Sequence, residues 1–130
     1  MRSRLHIRRE DGQAAVEMAL ILPILVVLLL AIAQFGIAFN NYLTLTDATR
    51  AGARKAAVAR FIGDGGASAQ ALVMADASSV SGVTATVTSD NWNIPGSDVV
   101  VTATAPYSIN ILGWTVRSGN LTSTTTERLE

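Results

Sequence analysis

The chain has 130 residues, ten basic and ten acidic for a formal net charge of zero, one histidine and no cysteine. The missing cysteines exclude disulfides and thiolate chemistry, and the balanced charge argues against a general nucleic-acid binder, which carries a net basic footprint. Setting aside one long apolar run, about 90–100 residues remain, enough for a single small domain with a modest core.

The first twelve residues form a short leader in which Arg2, Arg4, Arg8 and Arg9 precede Glu10, Asp11 and Gly12. Without them the chain holds six basic residues against eight acidic ones and turns mildly acidic. Met18 to Phe39 follows with no charge at all. As a helix this stretch spans about 33 Å, the thickness of a hydrocarbon core. Its blemishes are Pro23, where a local kink is expected, and Gln34. The arginines of the leader lie closer to the span than Arg50, Arg54, Lys55 and Arg60 beyond it, so the positive-inside bias favours a cytoplasmic amino terminus. Glu17 stands at the lip of the span. A carboxylate drawn to mid-bilayer costs about 2.5–3.5 kcal/mol on insertion scales, so this placement calls for a partner.

A competing reading treats Met18 to Leu30 as the core of a signal peptide, with Ala31-Ile32-Ala33 as a cleavage site that releases a secreted, surface-binding domain. Pro23, the acidic residues Glu10, Asp11 and Glu17, and apolar character continuing to Tyr42 weigh against it. A plain membrane-anchored envelope protein is the blander alternative.

The helical pattern continues past Phe39, so one helix is expected from about Ala14 to Phe61, ended by Gly63-Asp64-Gly65-Gly66. Leu45, Ala48, Gly52, Ala56 and Ala59 share a face of small residues, whereas Asp47, Arg50 and Arg54 make a charged one, solvated or paired with a neighbouring chain. Ser68 is the expected N-cap of a short helix to about Ser78. Beyond Gly82 the period changes to two. Val83 to Thr88 and Val99 to Ala105 read as strands joined through the turn-rich Asp90 to Gly96, with Pro106 ending the second. Tyr107 to Trp114 reads as a short strand and loop, and Asn120 to Arg128 as a further strand. Short connections favour antiparallel pairing. The expected class is α+β, divided into a leader (1–12), a membrane helix (13–40), its soluble extension (41–62) and a small extracytoplasmic domain (63–130).

Catalysis has little to work with. His6, in the leader, is the only histidine, and Asp64, Asp76, Asp90 and Asp98 are scattered near turns and helix ends where aspartate serves backbone hydrogen bonding. Gly63-Asp64-Gly65-Gly66 lacks the lysine of a phosphate loop. Trp92 and Trp114 read equally as core area or as exposed contacts. No enzyme activity and no cofactor are expected.

The order of motifs is more specific. A basic leader closing on Gly12, a glutamate five residues later at Glu17, then Met18 to Pro23, Phe35-Gly36 and Thr49-Arg50-Ala51-Gly52-Ala53-Arg54 resembles the TadE-like pseudopilins of the tight-adherence (Tad/Flp) pilus system over about residues 8–60. The resemblance implies cleavage at Gly12-Gln13 by a prepilin peptidase, and a Glu17 that compensates the new amino terminus of a neighbouring subunit. Within this motif, helical spacing makes Gly52 on the small face and Arg50 and Arg54 on the charged face the candidates for helix packing or partner contact. The resemblance also implies association with other pilins, the Tad inner-membrane platform and the lipid bilayer. The tail of roughly 65 residues is longer than a tiny major Flp pilin would carry, which favours a minor pilin or assembly pseudopilin.

Overall fold

A computed structural model describes residues 9–130, with side chains from Gly12 onward; the expectations placed on Arg2, Arg4, His6 and Arg8 lie outside the described residues. The chain is α+β. It runs in the order α1 (Arg9–Ala57), α2 (Ala59–Ile62), α3 (Ala67–Asp76), β1 (Thr84–Ser89), β2 (Asp98–Ile111) and β3 (Trp114–Arg128). The strands form one antiparallel sheet in the order β1-β2-β3.

Helix α1 starts five residues earlier than the sequence pattern predicts, runs unbroken through Pro23, and leaves helical geometry at Val58 before the single turn of α2. Gly63 then takes a left-handed φ of 72° and its amide bonds the Ala59 carbonyl at 2.8 Å, a glycine stop of the expected kind. At α3 the expectation fails. Ser68 lies inside the helix and Gly66 is the N-cap, with φ 85° and no capping side chain. Asp64, two residues before that cap, accepts from the Gly66 amide (3.0 Å) and the Ser68 amide (2.9 Å). A carboxylate satisfies such orphan donors more strongly than a serine hydroxyl.

The small-residue face is the core. Leu45, Ala48, Ala56 and Ala59 are buried, and Gly52 is in close contact with Val73 of α3 and near Val101 of β2. Opposite them, alternate residues of β2, Val99, Val101, Ala103 and Ala105, are fully buried. The intervening Thr102 and Thr104 meet Thr124 and Thr122 of β3 through their hydroxyls on the outer face. Period-two alternation therefore sorts β2 into a dry and a wet side, as its sequence requires. Each fully buried valine or leucine contributes about 1.5–3 kcal/mol, and a core with so few of them relies on close backbone approach.

Two differences concern the lower half of the sheet. Pro106 does not end β2, which continues to Ile111 paired with β3. Pairing with β1 stops at Thr84↔Thr104, so Pro106 sits where β2 has lost one neighbour, the edge setting in which a missing amide hydrogen is tolerated. Residues 107–114 are consequently part of a long hairpin and not a short strand and loop. Its two-residue tip, Leu112-Gly113, has φ of 52° and 84°, the sign pattern of a type I′ turn. Leucine in that region costs about 1–2 kcal/mol relative to glycine or asparagine.

Candidate functional site: the two ends of the first helix

From Gly12 to Leu30 every residue of α1 is exposed, including Leu20 (68%), Ile24 (69%) and Leu28 (55%). None of this apolar stretch is covered by the rest of the chain. Exposure of such a surface to water would be prohibitive by hydrophobic transfer, so α1 is a candidate membrane span.

Glu17 projects from the exposed, unpacked end of this helix. Its Oε1 accepts from the side-chain amide of Gln13 at 3.3 Å, the i to i+4 neighbour on one helix face. Gly12 has open space around it. The Gly12–Gln13 bond therefore lies in accessible helix, and glycine lowers the cost of locally unwinding that turn by about 1 kcal/mol relative to alanine. The geometry thus brings Gly12, Gln13 and Glu17 together within about one and a half helical turns, away from the folded domain.

The three sequence-predicted residues of the upper helix occupy different settings. Gly52 is buried inside the chain between α3 and β2. Arg50 faces solvent and lies 3.8 Å from Asp47, both side chains mostly exposed, and Arg54 is exposed. An exposed pair of this kind contributes about 0.2–1 kcal/mol at most.

What sequence reasoning missed is a hydroxyl cluster joining α1 to β3. Thr49 is fully buried and its Oγ1 donates to the Thr46 carbonyl (2.9 Å), while Ser123 (3.2 Å) and Thr125 (3.2 Å) meet the same oxygen from β3. Ser123 in turn donates to the Thr46 hydroxyl at 3.3 Å. The signal was present in the sequence as polar residues at the core positions of both elements, Thr46 and Thr49 beside Leu45 and Ala48, and Ser123 and Thr125 in alternation.

Trp92 and Trp114 part company. Trp92 packs on the core over Gly66, whereas Trp114 is 81% exposed beside the hairpin tip. Asp64 is held below the ordinary carboxylate value of 3.8, first by the Ser68 hydroxyl and then by the Ser68 and Gly66 amides. Among the described residues no three acidic or histidine side chains gather in a way that would hold a metal ion.

Residues 12–54 match the sequence family described as TadE-like protein. No curated protein and no solved structure matches the chain.

Proposed function

Proceeding from a TadE-like segment that runs from Gly12 to Arg54, we propose that the chain is a minor pilin or pseudopilin acting in assembly of a Tad-type pilus. It enters the inner membrane with its amino terminus in the cytoplasm and its α3–β3 domain outside. A prepilin peptidase cuts after Gly12, and Gln13 becomes the first residue. The observation that carries this reading is the division of α1. One end is buried in the folded domain, and the other presents Gly12, Gln13 and Glu17 on an apolar surface that nothing in the chain covers.

Cleavage would create an ammonium at Gln13, one helical turn from Glu17. Bundled among apolar helices, each charge alone would be strongly disfavoured, and an amine beside a carboxylate relieves both. Glu17 has two possible partners, the amine of its own chain and that of a neighbour. The neighbour's amine also sets axial register between subunits, so it is the partner assigned here. Other pilins and the Tad platform are its binding partners, and no catalytic role is proposed.

Mass spectrometry of the mature amino terminus tests the processing step. A start at Gln13 is expected; a start at Gln34 would instead give the secreted, signal-peptidase-released domain. Pro23 within the apolar core and the acidic residues Glu10, Asp11 and Glu17 before it depart from signal-peptide anatomy, which favours the first outcome. Glu17→Ala is expected to leave processing largely intact and to impair piliation. Unchanged piliation would remove Glu17 from the assembly mechanism.

A further inference from the structure

The β2–β3 hairpin descends along α1 toward its apolar half. Gly52 is near Val101, Thr49 and Thr46 meet Ser123, and a cleft of about 280 Å³ opens between Phe35, Phe39 and Tyr42 of α1 and Tyr107, Ile109 and Leu121 of the hairpin. Each step along the strands thus meets an earlier residue of the helix. Three residues beyond Ile109, at about 3.3 Å each, carry the tip roughly 10 Å further in the same direction.

That tip is apolar and uncovered. Leu112 is 70% exposed, Trp114 81% and Val116 65%. The register shift after Ile109 leaves Val116 without a cross-strand partner, and Thr115 Oγ1 donates to Asn110 Oδ1 at 2.7 Å across it. Bulges of this type re-aim the side chains around them. The leucine at a left-handed position is the telling residue, since asparagine or glycine would close the same turn without strain. Just above the tip, Tyr107 packs over Gly119, and Arg117 Nε donates to the Tyr107 hydroxyl at 3.4 Å.

We propose that the hairpin tip, Leu112 with Trp114 and Val116, inserts into the outer face of the bilayer spanned by α1, with Arg117 at the level of the lipid phosphates. This rests on the membrane reading of α1. A hydrocarbon core of about 20 helical residues starting at Met18 ends near Ile37, which puts the tip about 5–10 Å below the boundary, the depth of an interfacial anchor. Tryptophan and arginine suit that boundary, one presenting an amphipathic ring and the other a charge that reaches the phosphates. Deeper burial is excluded by the open edges of a two-stranded hairpin, whose unpaired backbone groups need water. The hairpin and the helix then hold the domain at two points and fix its tilt on the membrane.

The test uses the full chain in vesicles of phosphatidylcholine and phosphatidylglycerol. Trp114 fluorescence is read in Trp92→Phe and, in case that variant misfolds, as the difference between the unaltered chain and Trp114→Phe. Lipids brominated near the carbonyl end of the acyl chains should quench Trp114 more than lipids brominated near the methyl end, and aqueous iodide should quench it weakly. Leu112→Asn should raise the thermal midpoint of the domain while reducing lipid quenching at least about twofold. Free access of iodide with no lipid quenching overturns the proposal, as does shielding that appears only at high protein density, which would make a second copy the occupant. Alkaline carbonate extraction of the same vesicles tests α1 separately: if the chain resists extraction while Trp114 stays in water, the tip proposal alone fails, and if the chain is extracted the membrane reading fails with it.

Discussion

Two halves of one helix solve opposite problems with different side chains. Below about Asn40, α1 is built from leucine, isoleucine, valine and phenylalanine, and the folded domain leaves them exposed. Above Thr44 the same helix turns to alanine, glycine and threonine, and these are the residues the domain buries. Large residues suit a surface that lipid or neighbouring helices will cover, because such partners adapt to its shape. Small residues suit a surface that meets a sheet and another helix at close range, where backbone approach replaces side-chain area. Burial within the chain is therefore no guide to which half matters more for assembly.

Gly52 and Gly36, one glycine from each half of α1, offer the sharpest way to break this comparison. Gly52→Val should destabilise the domain by about 3 kcal/mol, since even a Cβ at that position crowds Val73. Gly36 has nothing within 4 Å, and Gly36→Ala should be neutral or stabilise the helix by up to about 1 kcal/mol. Denaturant titration of the detergent-solubilised chain measures both. If the two glycines respond alike, the halves are not distinct.

Next in size is the leucine pair. Leu45→Ala removes a fully buried side chain and should cost about 2–4 kcal/mol, whereas Leu28→Ala, in the exposed half, should leave domain stability within about 0.5 kcal/mol. A smaller loss, about 1–2 kcal/mol, is expected for Thr49→Val, which strips the buried hydroxyl cluster of its shared oxygen. Ser123→Ala combined with it should cost less than the sum of the two single changes, because both remove the same contact.

The smallest effect is set by pH. Asp64 has a folded value below its ordinary 3.8, so its contribution is fully present above 3.8 and is lost as pH falls through the lower folded value. The thermal midpoints of the unaltered chain and of Asp64→Asn should differ at neutral pH and converge in acid. A gap that persists below the folded value would assign the effect to shape and not to charge.

Much of this is legible in the sequence. The apolar run, the glycine stop at Gly63, the face from Leu45 to Ala59 and the alternation of β2 all carry strong periodic signals, and each lies where a local rule and the tertiary demand agree. The Gly12, Gln13 and Glu17 constellation follows from the resemblance of the motif order to the TadE-like pseudopilins, and the structure adds their shared accessible surface. What was not legible depended on neighbours distant in sequence. Pro106 ends a strand by local rules, yet it is tolerated because β1 has already stopped at Thr84. Ser68 has the right chemistry for a cap, but a better acceptor four residues earlier displaces it. The polar core positions Thr49 and Ser123 argue against burial until they are seen to satisfy one another.

The alignment of the hairpin with α1 has a mechanical consequence. A force applied along α1, from its apolar end toward the domain, would act in the direction in which the β2–β3 hairpin follows the helix and would load the buried contact from Leu45 to Ala57 at once, in shear. An interface that must slide as a unit resists pulling far better than one that peels residue by residue. The Glu130 amide on the Ala57 carbonyl (3.0 Å) and Arg60 on the Glu130 carbonyl (2.9 Å) clamp its far end. A modest core of alanine and valine can in this way bear axial loads out of proportion to its thermodynamic stability.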